Sequence, residues 1–146
     1  MADERMDVDA QVKALNKALG LQLRSVLQYS LTAGSIVGLE FQPHAEKLRG
    51  FALAEVEDAI RLVEKVTSLG GDPVTKPKPA NWEGDPVKAL DSLIESEGET
   101  LESLQAAIEP TGREAASEAI EHRLEHMIMR KQEQVDYLIR AARRPK

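Results

Sequence analysis

Apolar residues recur at intervals of three and four along four stretches of the chain, the spacing of one face of an α-helix. In chain order, the four stripes are Val12, Leu15, Leu19, Val26, Tyr29, Ala33 and Ile36; Leu48, Phe51, Ala59, Leu62, Val66 and Leu69; Leu90, Ile94, Leu101, Leu104 and Ile108; and Ile120, Leu124, Met127 and Leu138. The pattern predicts four amphipathic helices.

Each stripe is interrupted near its middle by polar or charged residues. The interruptions are Gln22 in the first stripe, Glu55 with Asp58 in the second, Glu97 in the third, and Lys131 with Gln134 in the fourth. Residues three apart on a helix share a face, so the paired residues of the second and fourth stripes point the same way. These six positions are therefore the candidate functional residues.

Glycine, proline and capping residues set the predicted boundaries. We predict helices at approximately 9–38, 43–70, 86–109 and 113–143, with Asp7 or Asp9 capping the first. Prolines at positions 73, 77 and 79 exclude a continuous helix from the segment 71–85, which becomes a long crossover. The short connections on either side of it predict two antiparallel helix pairs.

Composition favours one all-α domain covering residues 1–146, with a core of aliphatic side chains because aromatic residues are only 3%. Cysteine is absent, the first ten residues are too polar for a signal peptide, and no apolar run is long enough to span a membrane. We therefore expect a cytoplasmic protein. The net charge of -6 argues against nucleic-acid binding, and the basic tail 143–146 is expected to be solvated.

Several segments resemble the bacterioferritin family of the ferritin-like superfamily. They are LNKALGLQLRSVLQY, EVEDAIRLVEKVTSLGGDP, NWEGDPVKALDSLIESE and QVDYL, and the likeness extends from Val12 to Leu138. The resemblance implies a four-helix bundle with its crossover between helices two and three. It also implies a di-iron site built from one Glu on each of two helices and a Glu-x-x-His motif on each of the other two.

At the ligand positions that the resemblance implies, only Glu55 and Glu97 are unchanged. A Glu is replaced by Gln22, a His by Asp58, and the last Glu-x-x-His by Lys131 and Gln134. An ammonium has three donors and no lone pair, so Lys131 would repel a metal ion and take over its positive charge. The three carboxylates and one ammonium leave two uncompensated negative charges, and we predict direct pairing of Lys131 with the carboxylates.

Three classes of function follow from this altered site. The first, which we favour, is a structural or partner-binding protein without ferroxidase activity and without a cofactor, and therefore not an enzyme. The second is an iron-binding or iron-storage protein that holds one divalent metal through a residual site of Glu55, Asp58, Glu97, Gln22 and Gln134. The third is a redox protein that uses Tyr29, which is otherwise expected to be a hydrogen-bond neighbour of the cluster.

Haem and a surface metal are two further candidate ligands. Haem is not expected, because the resemblance places its Met ligand at Val56, which has no ligand atom. His122 and His126 lie one turn apart beside Glu118, Glu121 and Glu125, and form a weak surface metal candidate that we expect to be an ordinary solvated face.

Self-association is predicted as a homodimer along the first two helices, since Leu23, Leu27, Leu31, Leu39 and Phe41 lie outside the core stripe and need cover. The family's fifth helix, which helps close its 24-subunit shell, has no counterpart before Lys146. A dimer is therefore expected rather than a full cage.

Overall fold

Residues 5–142 are described by the computed structural model, and they form an all-α bundle. Helix α1 spans Val8–Ser35, α2 Gln42–Ser68, α3 Pro86–Ile108 and α4 Ala115–Ala142, with a short 3-10 turn at Leu39–Phe41. No β-strand occurs among the described residues, which confirms the predicted fold class. The basic tail 143–146 lies outside the described part of the chain.

The helix starts follow local capping chemistry. Asp7, rather than Asp9, caps α1, and its Oδ1 accepts a hydrogen bond from the Ala10 amide at 3.1 Å. Asp85 caps α3 in the same way through the Lys88 amide at 3.0 Å. Pro43 occupies the first turn of α2, where no backbone donor is needed.

The end of α1 differs from the prediction by three residues. The helix stops at Ser35, and Ile36 adopts an extended conformation with φ -65° and ψ 128°. Gly38 then takes a positive φ of 102°, which glycine adopts without strain. The apolar stripe in the sequence extends one residue beyond the helix because Ile36, which follows the last helical residue, is also buried. Helix α4 likewise begins at Ala115 rather than 113.

Two apolar core clusters occupy opposite halves of the bundle. One is built around Leu15, Leu19, Leu62, Leu104, Leu124 and Met127, and the other around Tyr29, Leu48, Leu90, Leu93 and Leu138. In every helix the predicted polar interruption falls between the residues of these two clusters. The core is therefore divided by one buried polar layer to which all four helices contribute.

Helix pairing follows the predicted topology, since α1 packs along α2, α3 along α4, and α1 also along α3. Helices α2 and α4 touch each other much less. The crossover between α2 and α3 lies against α1, where the Lys78 amide donates to the Gly20 carbonyl oxygen at 3.0 Å. Asn16 and Gln28 of α1 accept from the amides of Val74 and Asn81, and these contacts fix the crossover along the helix.

Between residues 5 and 142, none of the helices combines the length and the apolar composition that crossing a lipid bilayer requires.

Candidate functional site

The polar layer brings together all six residues that interrupt the apolar stripes. Each is buried: Gln22, Glu55, Asp58, Glu97, Lys131 and Gln134. Because the four helices supply them from near their midpoints, the layer lies far from either end of the bundle. We call these six residues, with Ser25 and Arg130 described below, the polar cluster.

Lys131 bridges two carboxylates from different helices. Its Nζ lies 2.7 Å from Glu55 Oε2 and 2.5 Å from Glu97 Oε2, and all three side chains have no solvent exposure. Ser25 Oγ lies 3.4 Å from the same Nζ. The predicted pairing of Lys131 with the carboxylates is therefore present in the structure, and α2, α3 and α4 are joined through one ammonium group.

Mutual charge pairing outweighs burial in setting the protonation states. Burial would lower the pKa of Lys131, but Glu97 and Glu55 together hold its pKa above the ordinary value. Burial would raise the pKa of Glu55, but Lys131 and Arg130 hold its pKa below the ordinary value. Lys131 is accordingly an ammonium and Glu55 a carboxylate at neutral pH.

Arg130 is a member of the cluster that the stripe pattern missed. Its guanidinium donates to Asp58 Oδ2 from Nε at 3.0 Å and to Glu55 Oε1 from Nη2 at 3.2 Å. It also donates to Gln134 Oε1. With its charge included, three carboxylates face two cations, so one negative charge remains instead of the two expected from Lys131 alone. The two uncompensated negative charges expected from the sequence were the signal that the cluster contains a second cation.

The amide and hydroxyl side chains complete the hydrogen bonding. Gln134 Nε2 donates to Glu55 Oε1 at 2.8 Å, and Gln22 Nε2 donates to Glu55 Oε2 and, at 3.1 Å, to the Glu55 carbonyl oxygen. Ser25 Oγ donates to Glu97 Oε1 at 2.5 Å. Glu55 is thus the centre of the cluster, while the buried Gln22 Oε1 has no partner among the described residues.

Tyr29 lies at the edge of the cluster as a hydrogen-bond neighbour. Its hydroxyl accepts from Gln134 Nε2 at 3.2 Å, and its ring contacts Phe51 edge to face with centroids 5.6 Å apart. Burial, together with the negative charges of Glu97 and Glu55, raises the pKa of Tyr29 well above its ordinary value. The phenol therefore stays protonated, and a redox role for it stays a prediction.

The side chains of the cluster do not fit two iron ions. The ammonium of Lys131 lies between Glu55 and Glu97, where a bridging cation would need their oxygens, and Arg130 engages Asp58. Among residues 5–142, no three His, Cys, Asp or Glu side chains are arranged to hold a metal ion. The five residues predicted to hold a single metal do lie together in the cluster. Their carboxylates, however, are paired with Lys131 and Arg130.

The other predicted positions lie outside the polar cluster. His122 and His126 are exposed on α4, and the part of the chain that is described contains no third His, Cys, Asp or Glu side chain arranged with them around a metal position. Val56 is 41% exposed on α2, outside the buried layer. The expectation that haem is not bound through Val56 stays a prediction.

Known proteins with similar sequences and structures place the cluster in context. The chain is 29% identical over 105 residues to the bacterioferritin of Desulfovibrio desulfuricans. The matched segment covers 70% of this chain and 59% of that relative. The chain therefore spans less than two thirds of the curated relative it matches.

Solved structures of other proteins share the fold. A ferritin-like, diiron-carboxylate protein from Bacillus anthracis has a TM-score of 0.85 at 24% identity, over 98% of this chain and all of that one. Rhodobacter capsulatus bacterioferritin, described with a metal-free dinuclear site and haem iron, has a TM-score of 0.83 at 21% identity, covering 94% and 86% of the two chains.

The sequence model of the ferritin-like domain family matches residues 12–141, which is most of the chain. Together with the bacterioferritin relative, this match confirms the resemblance inferred from the sequence. The chain belongs to the ferritin-like domain family.

Proposed function

We propose that this chain is a ferritin-like protein without ferroxidase activity, in which the polar cluster stabilises the bundle in place of a di-iron centre. The observation that carries the proposal is the position of the Lys131 ammonium, 2.7 Å from Glu55 Oε2 and 2.5 Å from Glu97 Oε2. A metal ion binding these carboxylates would have to displace a buried ammonium whose pKa is raised. The role of the protein is then structural or partner-binding.

The chemistry of the remaining ligand positions supports the same conclusion. Gln22 and Gln134 supply neutral amides where two irons would need anionic or imidazole donors, and both amides donate to Glu55. Arg130 adds a second positive charge beside Asp58. Loading two irons would require several of these contacts to be broken at once.

Ferroxidase activity can be measured directly. Fe(II) added to the full-length protein under anaerobic conditions, followed by air, should be oxidised no faster than in buffer alone. The variant Glu55→Ala should behave as the parent does. Rapid oxidation of about two irons per chain, lost in Glu55→Ala, would contradict the proposal.

A single divalent ion is the second candidate, and the observation that favours it is the buried Gln22 Oε1, which has no hydrogen-bond partner within residues 5–142. A carbonyl oxygen is an acceptable ligand for a hard cation, and the cluster retains one uncompensated negative charge. Metal analysis of protein purified from iron-supplemented cells distinguishes the two functions. About one tightly held metal per chain, lost in Gln22→Ala, would favour the second candidate.

The partner we infer is a second copy of the chain. Exposed apolar residues line the outer face of α1 and α2: Leu27, Leu31, Leu53, Val56 and Ile60. A groove of about 800 Å³ between α1 and α2 borders this face, and Leu53 forms part of its lining. Leu23 and Phe41, also expected to need cover, instead pack partly against the core clusters, whereas Leu39 is 89% exposed. Burying this face of one chain against the same face of a second chain gives the predicted dimer.

The dimer is tested by the mass of the protein in solution. Light scattering should give twice the chain mass for the parent and the mass of one chain for the double variant Leu31→Glu, Leu53→Glu. Met129→Glu is the matched control, because Met129 is 58% exposed on α4, away from this face. A parent that is monomeric at high concentration would contradict the inference.

A further inference from the structure

A cavity of about 410 Å³ opens where α2 and α4 are loosely packed, directly outside the polar cluster. Its inner end is formed by Arg130 and Gln134, and Phe51 and Ala54 supply apolar wall. Tyr137 and the charged residues Lys47, Arg140 and Glu133 complete the lining. The cavity thus combines an apolar wall with charged groups, as small-molecule sites do.

Lys47 is held in place by aromatic rings. Its Nζ lies 5.7 Å from the ring centroid of Phe51 and 5.6 Å from that of Tyr137. The two rings meet edge to face at 5.6 Å, and His44 Nδ1 lies 2.5 Å from the Tyr137 hydroxyl, which fixes that ring. Cation–π contacts position the ammonium and leave its N–H donors able to bind an anion.

Positive charge dominates this cavity although the whole chain has a net charge of -6. Lys47 and Arg140 face a single acidic lining residue, Glu133. Arg130 adds a guanidinium at the inner end, where its charge is shared with Asp58 and Glu55 and 23% of its side chain is exposed. A small anion entering the cavity would meet two cations at the rim and a third behind them.

We propose that this cavity is a binding site for a small organic carboxylate. Lys47 and Arg140 bind the carboxylate oxygens, and the apolar body of the ligand packs against Phe51 and Ala54. The volume exceeds what an inorganic oxyanion fills, and the apolar wall has no partner unless the ligand also has an apolar part. This site is separate from the proposed role of the polar cluster, and it requires no metal.

Benzoate is a suitable probe because it joins one carboxylate to one apolar ring. Titration into the ¹⁵N-labelled full-length protein should shift amide resonances mainly in the ranges 47–54 and 130–140. Lys47→Met and Arg140→Met, which remove charge but keep an extended side chain, should each weaken binding by about tenfold. Lys17→Met, an exposed lysine on α1 at the other half of the bundle, should bind benzoate as the parent does.

Two further ligands test the chemical class. Benzylamine has nearly the same shape with a positive charge and should produce no comparable shifts, and phosphate should bind more weakly than benzoate. The proposal is overturned if benzoate causes no localised shifts at tens of millimolar, or if both charge variants bind it as the parent does. A response to phosphate equal to that of benzoate would overturn the assignment to an organic carboxylate.

Discussion

At the scale of single residues, Lys131 is the side chain on which the polar cluster most depends. It is fully buried, and it neutralises Glu55 and Glu97 from two different helices. A buried ion pair adds little stability compared with an apolar core, but removing one partner leaves an uncompensated charge. The loss of Lys131 should therefore be much more damaging than its presence is stabilising.

Lys131→Met should destabilise the protein by about 3 kcal/mol at neutral pH. Without the ammonium, Glu55 and Glu97 face each other in a buried site without their shared cation, so the pair takes up a proton more readily in the folded state than in the unfolded state. The folded variant then binds more protons, so stability should partly return as the pH falls from about 8 to about 5. Urea unfolding at a series of pH values measures both effects.

In the parent, the free energy of unfolding should change with pH in the opposite direction, decreasing as the pH falls into the acid range. Because the pKa of Glu55 is lowered in the folded state, its contribution is present above the unfolded pKa and is lost as the pH falls through the folded pKa. Equal stability of Lys131→Met and the parent across this range, without any response to added divalent cation, would show that the charge replacement is not important.

Helical periodicity predicted which backbone positions meet in the polar cluster, but not every side chain that reaches it. Gln22, Glu55 and Glu97 interrupt apolar stripes, so their burial follows from the period alone. Arg130 lies beside the stripe, and its long side chain reaches Asp58 from the flank with part of its length exposed. Periodicity gives the direction of a Cα–Cβ bond and carries no information about that reach.

At the scale of helices, starts were predicted better than ends. Asp85 and Pro86 specify the start of α3 by local chemistry, since the carboxylate satisfies an amide and the proline needs none. The end of α1 depends on the tertiary burial of Ile36 after the helix has stopped. That burial is a property of the packed bundle and leaves no local signal.

Asp85→Ala should reduce the free energy of unfolding by about 1 kcal/mol, because the Lys88 amide loses its acceptor at the first turn of α3. Asp91→Ala is the matched control, since Asp91 is an exposed aspartate further along the same helix. Chemical denaturation of the two variants gives the comparison. A loss as large in the control as in Asp85→Ala would contradict the capping role.

At the scale of the whole molecule, the polar cluster divides the apolar core and ties the four helices at one level. Glu55, Glu97 and Lys131 can pair only when α2, α3 and α4 lie in a single register along their axes. The centre of this ferritin-like bundle is thus a layer of buried ion pairs and hydrogen bonds. The family resemblance implies that the same positions hold metal in relatives. Reversing the substitutions at these positions tests that implication.

The reversal Gln22→Glu, Asp58→His, Lys131→Glu and Gln134→His supplies the ligand types that the resemblance implies. We expect this fourfold variant to bind iron poorly, because the Arg130 guanidinium would still contact Glu55 and the side chain at position 58. Adding Arg130→Ala should allow about two irons per chain to bind and to be oxidised in air. Anaerobic Fe(II) titration, with absorbance recorded after oxygen is admitted, compares the two variants. Equal iron binding by both would show that Arg130 moves aside into solvent, whereas no binding by either would separate the polar cluster from the metal positions of the family.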